Sequence, residues 1–121
     1  MNERGERMDF EKMQVWRDAQ DLAVSLYADF SSLKDFSFVD QIKRAVVSIS
    51  NNIAEGAERT TPGDFARFLD IAKGSTGEVK SMLHLAQRLE YISTQVAKIR
   101  REQCESISRQ LGGFAKHLSQ K

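Results

Sequence analysis

Apolar residues recur at three- and four-residue intervals along almost the whole chain, the spacing of one face of an α-helix. From Glu11 to Phe30, the residues Met13, Trp16, Ala19, Leu22, Ala23, Leu26, Tyr27 and Phe30 form a single stripe and predict a first helix. The polar stretch Ser31 to Ser37 interrupts it. Ser37 stands three residues before Asp40, a capping-box spacing that starts a second helix at Phe38. Its core stripe is Val39, Ile42, Val46, Ile49 and Ile53, and it runs out near Ala57. The segment Arg59 to Asp64 is the clearest punctuation. Thr61 can cap, Pro62 can take the first helical position, and Asp64 suits the positive end of the helix dipole. A third helix over residues 62–89 then carries Phe65, Phe68, Leu69, Ala72, Val79, Met82, Leu83, Ala86 and Leu89. A fourth over 93–118 carries Val96, Ile99, Ile107, Leu111, Phe114 and Leu118. Short connections make neighbours antiparallel. The expected fold is all-α, an up-down-up-down four-helix bundle forming one domain over residues 1–121.

Two glycine pairs strain this pattern. Gly74 and Gly77 fall inside the third helix, where each costs about 1 kcal/mol relative to alanine. Unbroken apolar phase from Phe68 to Leu83 favours a continuous helix whose glycines admit a neighbouring backbone. Gly112 and Gly113 pose the same question in the fourth helix, where a bent end and a continuous one fit equally well. Small and polar residues also align. Ala45, Ser48, Asn52 and Gly56 follow one another on the second helix with Glu55 alongside, and Ala72, Ser75 and Glu78 form a matching stripe on the third. Buried polar groups need partners, so Ser48, Asn52, Glu55, Ser75 and Glu78 are expected to form a structural hydrogen-bonded network. Lining a ligand or subunit contact is the alternative use of the same residues.

Composition narrows the class without naming an activity. A chain of 121 residues buries enough surface for one core without a disulfide or metal staple. One cysteine cannot close an internal bridge, which fits a reducing compartment. No apolar run approaches the ~20 residues of a membrane span, and Met1 to Asp9 lacks a signal-peptide core, so a cytoplasmic protein without a membrane partner is expected. The net charge of +1 hides an asymmetry. From Ile92 onward Lys98, Arg100, Arg101, Arg109, Lys116 and Lys121 outnumber Glu102 and Glu105. A solvated helix face accounts for that excess better than a phosphate partner does.

Enzyme chemistry finds little to stand on. Neither His84 nor His117 has an acidic residue three positions before it, as a di-metal bundle site requires, so no metal site is expected. Cys104, seven residues before Leu111, falls on the bundle seam without a histidine to activate it, which makes it a packing residue. The stretch Gly74-Ser-Thr-Gly77 lacks the lysine of a phosphate loop and lies within a helix. No catalytic residue and no cofactor is expected.

The second and third helices carry a resemblance. Gln41-Ile-Lys-Arg-Ala-Val-Val-Ser-Ile-Ser-Asn-Asn-Ile-Ala-Glu-Gly56, followed by Phe65-x-x-Phe-Leu-x-Ile-Ala-x-Gly-Ser-x-x-Glu78, resembles a bacterial family first met as reading frames inside intervening sequences of 23S ribosomal RNA genes. Phe10 to Tyr27, with Val15, Trp16 and Ala19, also fits that family's first helix. Ser50 stands where the family often has proline, which implies a straighter second helix here. The resemblance implies a four-helix bundle assembled into a ring-shaped homopentamer, with no established enzymatic activity. It also implies a kinship in architecture with the accessory variability protein of diversity-generating retroelements, which is associated with nucleic acid.

A ring multiplies each basic side chain around its axis. On that expectation the candidate phosphate contacts are Lys43 and Arg44 beside the inward stripe of the second helix, Arg59 and Arg67 at its junction with the third, and Arg100 and Arg101 on the fourth. Trp16, Phe65 and Phe68 are in core phase and unsuited to stacking on bases. The leading expectation is therefore a non-enzymatic, ring-forming scaffold that binds RNA or DNA through backbone electrostatics. The alternative is an adaptor ring that binds a protein and no nucleic acid, favoured by the low net charge.

Overall fold

Local capping chemistry sets where each helix begins in the computed structural model, which describes residues 8–120. Asp9 accepts the Glu11 amide at 3.1 Å and opens a short 3-10 turn over Phe10–Lys12. Met13 then adopts an extended conformation, so helix α1 spans Gln14–Asp29 and begins later than the spacing predicts at Glu11. Helix α2 spans Phe36–Ala57. It begins before the predicted Phe38 because Asp35, not Ser37, is the cap. The Asp35 carboxylate accepts the Phe38 amide at 3.2 Å and the Tyr91 hydroxyl at 2.7 Å. Helix α3 spans Pro62–Arg88 with Thr61 accepting the Asp64 amide at 3.2 Å, as predicted. Helix α4 spans Thr94–Ser119, capped by Ser93.

The end of α3 carries no glycine. Glu90 takes the left-handed conformation instead, at φ 60°. The Tyr91 amide bonds back to the Ala86 carbonyl at 2.9 Å and the Glu90 amide to Gln87 at 3.0 Å, a Schellman closure. That closure places Tyr91 where its ring meets Phe38 edge-on at 5.3 Å and its hydroxyl reaches Asp35.

The four helices pack as an antiparallel bundle in which α3 lies against both α2 and α4, and α1 against α2 and α4. Leu22, Leu26, Ile42, Ile49, Ile53, Phe65, Leu69, Leu83, Ile107, Leu111 and Leu118 are fully buried, as their spacing predicts. Other predicted core residues are not: Tyr27, Leu89 and Ile99 are exposed, and Ala23, Val96 and Phe114 are half-buried. Val15 and Ala97 are buried instead. Trp16, expected in the core, is half-buried with Phe10 edge-on at 5.1 Å. No helix among the described residues is long and apolar enough to cross a membrane.

The glycines divide sharply. At Gly56 a Cβ would stand 2.8 Å from both Phe65 Cδ1 and Phe68 Cβ, so only glycine lets α2 meet the first turns of α3. At Gly74 and Gly77 a Cβ would meet nothing within 4 Å. Helix α3 runs unbroken through them, yet no backbone of this chain approaches there, contrary to the sequence expectation. Helix α4 likewise continues through Gly112 and Gly113.

Two predictions follow from these geometries. Gly56→Ala is expected to lower unfolding free energy by about 1–3 kcal/mol through overpacking, whereas Gly74→Ala raises it by about 1 kcal/mol; urea denaturation distinguishes the signs. The second concerns Asp35, whose carboxyl is held below its ordinary value of 3.8 chiefly by the Tyr91 hydroxyl and then by the Phe38 amide. That stabilisation is present above the unfolded-chain value and is lost as pH falls through the lower folded one. Asp35 in turn raises the Tyr91 pKa above 10.0, so the stabilisation also fades as pH climbs through that raised value. Carbon-detected NMR titration should find the Asp35 midpoint shifted upward in Tyr91→Phe.

Candidate functional site

The small-residue stripes meet where α2 and α3 run side by side. Ser48 and Ser75 hydroxyls lie 2.9 Å apart, and the Asn52 amide donates to the Ser48 hydroxyl at 2.9 Å and its carbonyl at 2.8 Å. Gln41 reaches Glu78 at 3.5 Å. Glu55 is exposed on the same side of α2, outside these bonds. The strip is half-buried, and no buried side-chain nitrogen or oxygen among the described residues lacks a partner. The two buried polar residues are others, Ser50 and Thr76. Ser50 accepts from Gln20 on α1 at 2.9 Å, and Thr76 donates to the Ala72 carbonyl at 2.8 Å. No sequence signal separates Ser50 from a solvated serine, because its partner is thirty residues away.

The six candidate cations are spread over three regions. Beside the polar strip, a groove of about 540 Å³ on α2 is lined by Lys43, Arg44, Asp40, Glu55, Asn52 and Tyr27, among others. The Lys43 ammonium sits 4.5 Å from the Tyr27 ring centroid, and Arg44 pairs with Asp40 at 2.8 Å. Two basic and two acidic side chains leave that groove without net charge. At the α2–α3 junction Arg59 and Arg67 both lie against the Phe68 ring, at 4.4 and 4.6 Å from its centroid, and both face Asp64, at 3.7 and 3.0 Å. The third region is on α4. Arg100 grips Asp29 with two nitrogens, at 2.7 and 3.2 Å, and also donates to Gln103. Arg101 donates to Gln87 on α3 at 2.7 Å. Arg100 therefore ties the start of α4 to the end of α1, and Arg101 ties it to α3.

A further cationic group is one that apolar periodicity passes over. Lys73 and Lys80 stand seven residues apart on α3 and face Arg109 on α4 across a groove. The seven-residue spacing is legible; the partner from α4 is not. Cys104 lies at the base of this groove, buried, and burial pushes its thiol up to about 12. It is a protonated packing residue at neutral pH. Among the described residues no three of His, Cys, Asp and Glu stand together as metal ligands.

Fold and site together define a helical-bundle protein in which Arg100, Arg101 and Lys80 join its own helices. The chain belongs to the 23S rRNA-intervening sequence protein family, which it matches over residues 11–113. Among solved structures it is similar to a protein of unknown function from the S23 ribosomal protein family of Bacteroides thetaiotaomicron. That likeness has 27% identity and a TM-score of 0.79, and covers 84% of this chain and 98% of the other. A comparison with curated proteins gives no significant match.

The Arg100–Asp29 pair is the charged contact whose loss should be felt. Its side chains are only 20% and 14% exposed, against 80% and 63% for Arg44 and Asp40. Arg100→Ala should cost about 2–3 kcal/mol, because a largely desolvated carboxylate loses its partner. Arg44→Ala should stay within about 0.5 kcal/mol. Urea midpoints of the two variants check the contrast.

Proposed function

We propose that the chain is a non-catalytic, self-associating scaffold of the cytoplasm that meets nucleic-acid phosphates through its basic side chains. One observation carries the self-association: the large apolar side chains left in solvent, Ile71 excepted, lie toward one end of the bundle. Val24 and Tyr27 near the end of α1, Phe36 at the start of α2, Leu85 and Leu89 at the end of α3, and Ile99 near the start of α4 are all exposed. Val24 and Phe36 reach 71% and 75%. Antiparallel packing brings those four helix ends to the same side, and such a concentration of apolar surface favours a covering partner. A second copy of the chain, in the ring of five that the family resemblance implies, is the occupant proposed here.

Within a ring, Lys43 and Arg44 recur around the axis together with Asp40 and Glu55, so the repeated groove offers phosphate donors at several points rather than a net positive field. The buried, protonated Cys104 supports the absence of nucleophilic catalysis. The adaptor reading has its own support, since Arg44, Arg59, Arg67 and Arg100 already face carboxylates of this chain.

Light scattering at micromolar concentration should give a mass of several chains, and Val24→Glu with Phe36→Glu should lower it while helicity is retained. A wild-type mass of one chain overturns the assembly. Binding to structured RNA should weaken with salt along a linear log–log slope, and Lys43→Ala with Arg44→Ala should flatten that slope by about two contacts. Absence of binding at low salt would favour the adaptor.

A further inference from the structure

The groove between α3 and α4 has features that neither the bundle nor the proposed assembly uses. It measures about 400 Å³, and its walls present Lys73 and Lys80 from α3 and Arg109 and Glu105 from α4. Three cations thus face one carboxylate. Glu105 is committed to Lys80 at 3.2 Å. Lys73 and Arg109 have no ion pair or hydrogen bond among the described residues, and neither has the Ser108 hydroxyl that lies beside them. Arg17, Arg44, Arg59, Arg67, Arg100 and Arg101 are each bonded to another side chain, whereas this groove brings two unpaired cations and a free hydroxyl together.

Glycine shapes the space. Gly77 lines the α3 wall, and a Cβ there would meet nothing within 4 Å, so its absence leaves volume rather than permitting a contact. Gly112 lines the α4 wall opposite. A Cβ on it would come within 3.2 Å of Lys73 Nζ, so the glycine lets that ammonium lie across into the groove. The floor brings no competing charge, since the Thr76 hydroxyl is bonded to Ala72 and the Cys104 thiol is buried.

We infer that this groove binds a phosphate ester of nucleotide size, with Arg109 and Lys73 as the principal phosphate contacts and Ser108 as a neutral donor. A guanidinium fork with an ammonium beside it matches the oxygens and charge of a phosphate. The volume exceeds that of one inorganic phosphate and falls within the range of small-ligand pockets. The site is separate from Lys43 and Arg44 and does not depend on the assembly proposed above. Its phosphate can come from a free nucleotide or from the backbone of a single strand.

Isothermal titration of the full-length protein at low salt, with adenosine 5′-monophosphate, adenosine and an eight-nucleotide single strand as probes, tests the site. The monophosphate should bind and adenosine should not. Lys73→Ala and Arg109→Ala should each weaken the monophosphate about tenfold. Gly77→Leu, at a position with open space, should abolish its binding while leaving helicity intact. Lys34→Ala, outside the groove, should leave it unchanged. Displacement of the monophosphate by the oligonucleotide identifies a strand as a source of the phosphate, and independent binding identifies a free ester. Either result supports the groove. Equal binding of adenosine, undiminished binding to folded Gly77→Leu, or no binding of the monophosphate or the strand at low salt overturns it.

Discussion

The close approach at Gly56 is the constraint from which the arrangement of α2 and α3 follows. A methyl group there would collide with Phe65 and with the Cβ of Phe68, so the chain can turn back tightly only over a residue without a side chain. Once residue 56 lies against residue 65, the antiparallel register is fixed. Ser48 then meets Ser75, and Gln41 reaches Glu78 farther up the pair. The same turn holds Phe68 at its base, where Arg59 and Arg67 cover the ring and share Asp64. Apolar burial supplies the driving force for packing, but it is indifferent to a shift along the helix axis. The glycine contact and the serine pair are what select one register.

At the other end of the bundle, polar contacts between distant segments perform the corresponding task. Asp35 caps α2 and also holds the hydroxyl of Tyr91, a residue positioned by the left-handed turn at Glu90. Arg100 joins α4 to the last residue of α1. Helix α1 has 16 residues against 27 in α3, so it cannot seal the whole seam by apolar contact alone.

How far the sequence discloses this structure depends on the range of the physics. Periodicity reports which face of a helix is apolar, and it located all four helices and the central core. It does not report which members of an apolar stripe a neighbour covers, so Tyr27, Leu89 and Ile99 look internal and are not. Capping is local, and Thr61 with Pro62 was readable. Asp35 was masked by the plausible box of Ser37 and Asp40, because its deciding partner Tyr91 lies 56 residues away. Arg100 is illegible for the same reason, its Asp29 partner being 71 positions distant, whereas the Asp40 partner of Arg44 and the Asp64 partner of Arg67 stand within a helical turn. Gly74 and Gly77 were visible as anomalies, but only coordinates distinguish a glycine that admits a backbone from one that leaves a space.

Net charge therefore describes this molecule poorly. A total of +1 arises from nearly equal numbers of cations and carboxylates, some of which pair within the chain, as Arg100 does with Asp29 and Lys80 with Glu105. What a phosphate would encounter is the unmatched remainder, and Lys73 with Arg109 concentrates it between the middles of α3 and α4. The exposed apolar side chains lie mostly toward the end where α1 finishes and α4 starts. These two surfaces use different stretches of the same helices. Covering the apolar end with another copy leaves the groove accessible on each one, and an assembly would then repeat the groove once per chain.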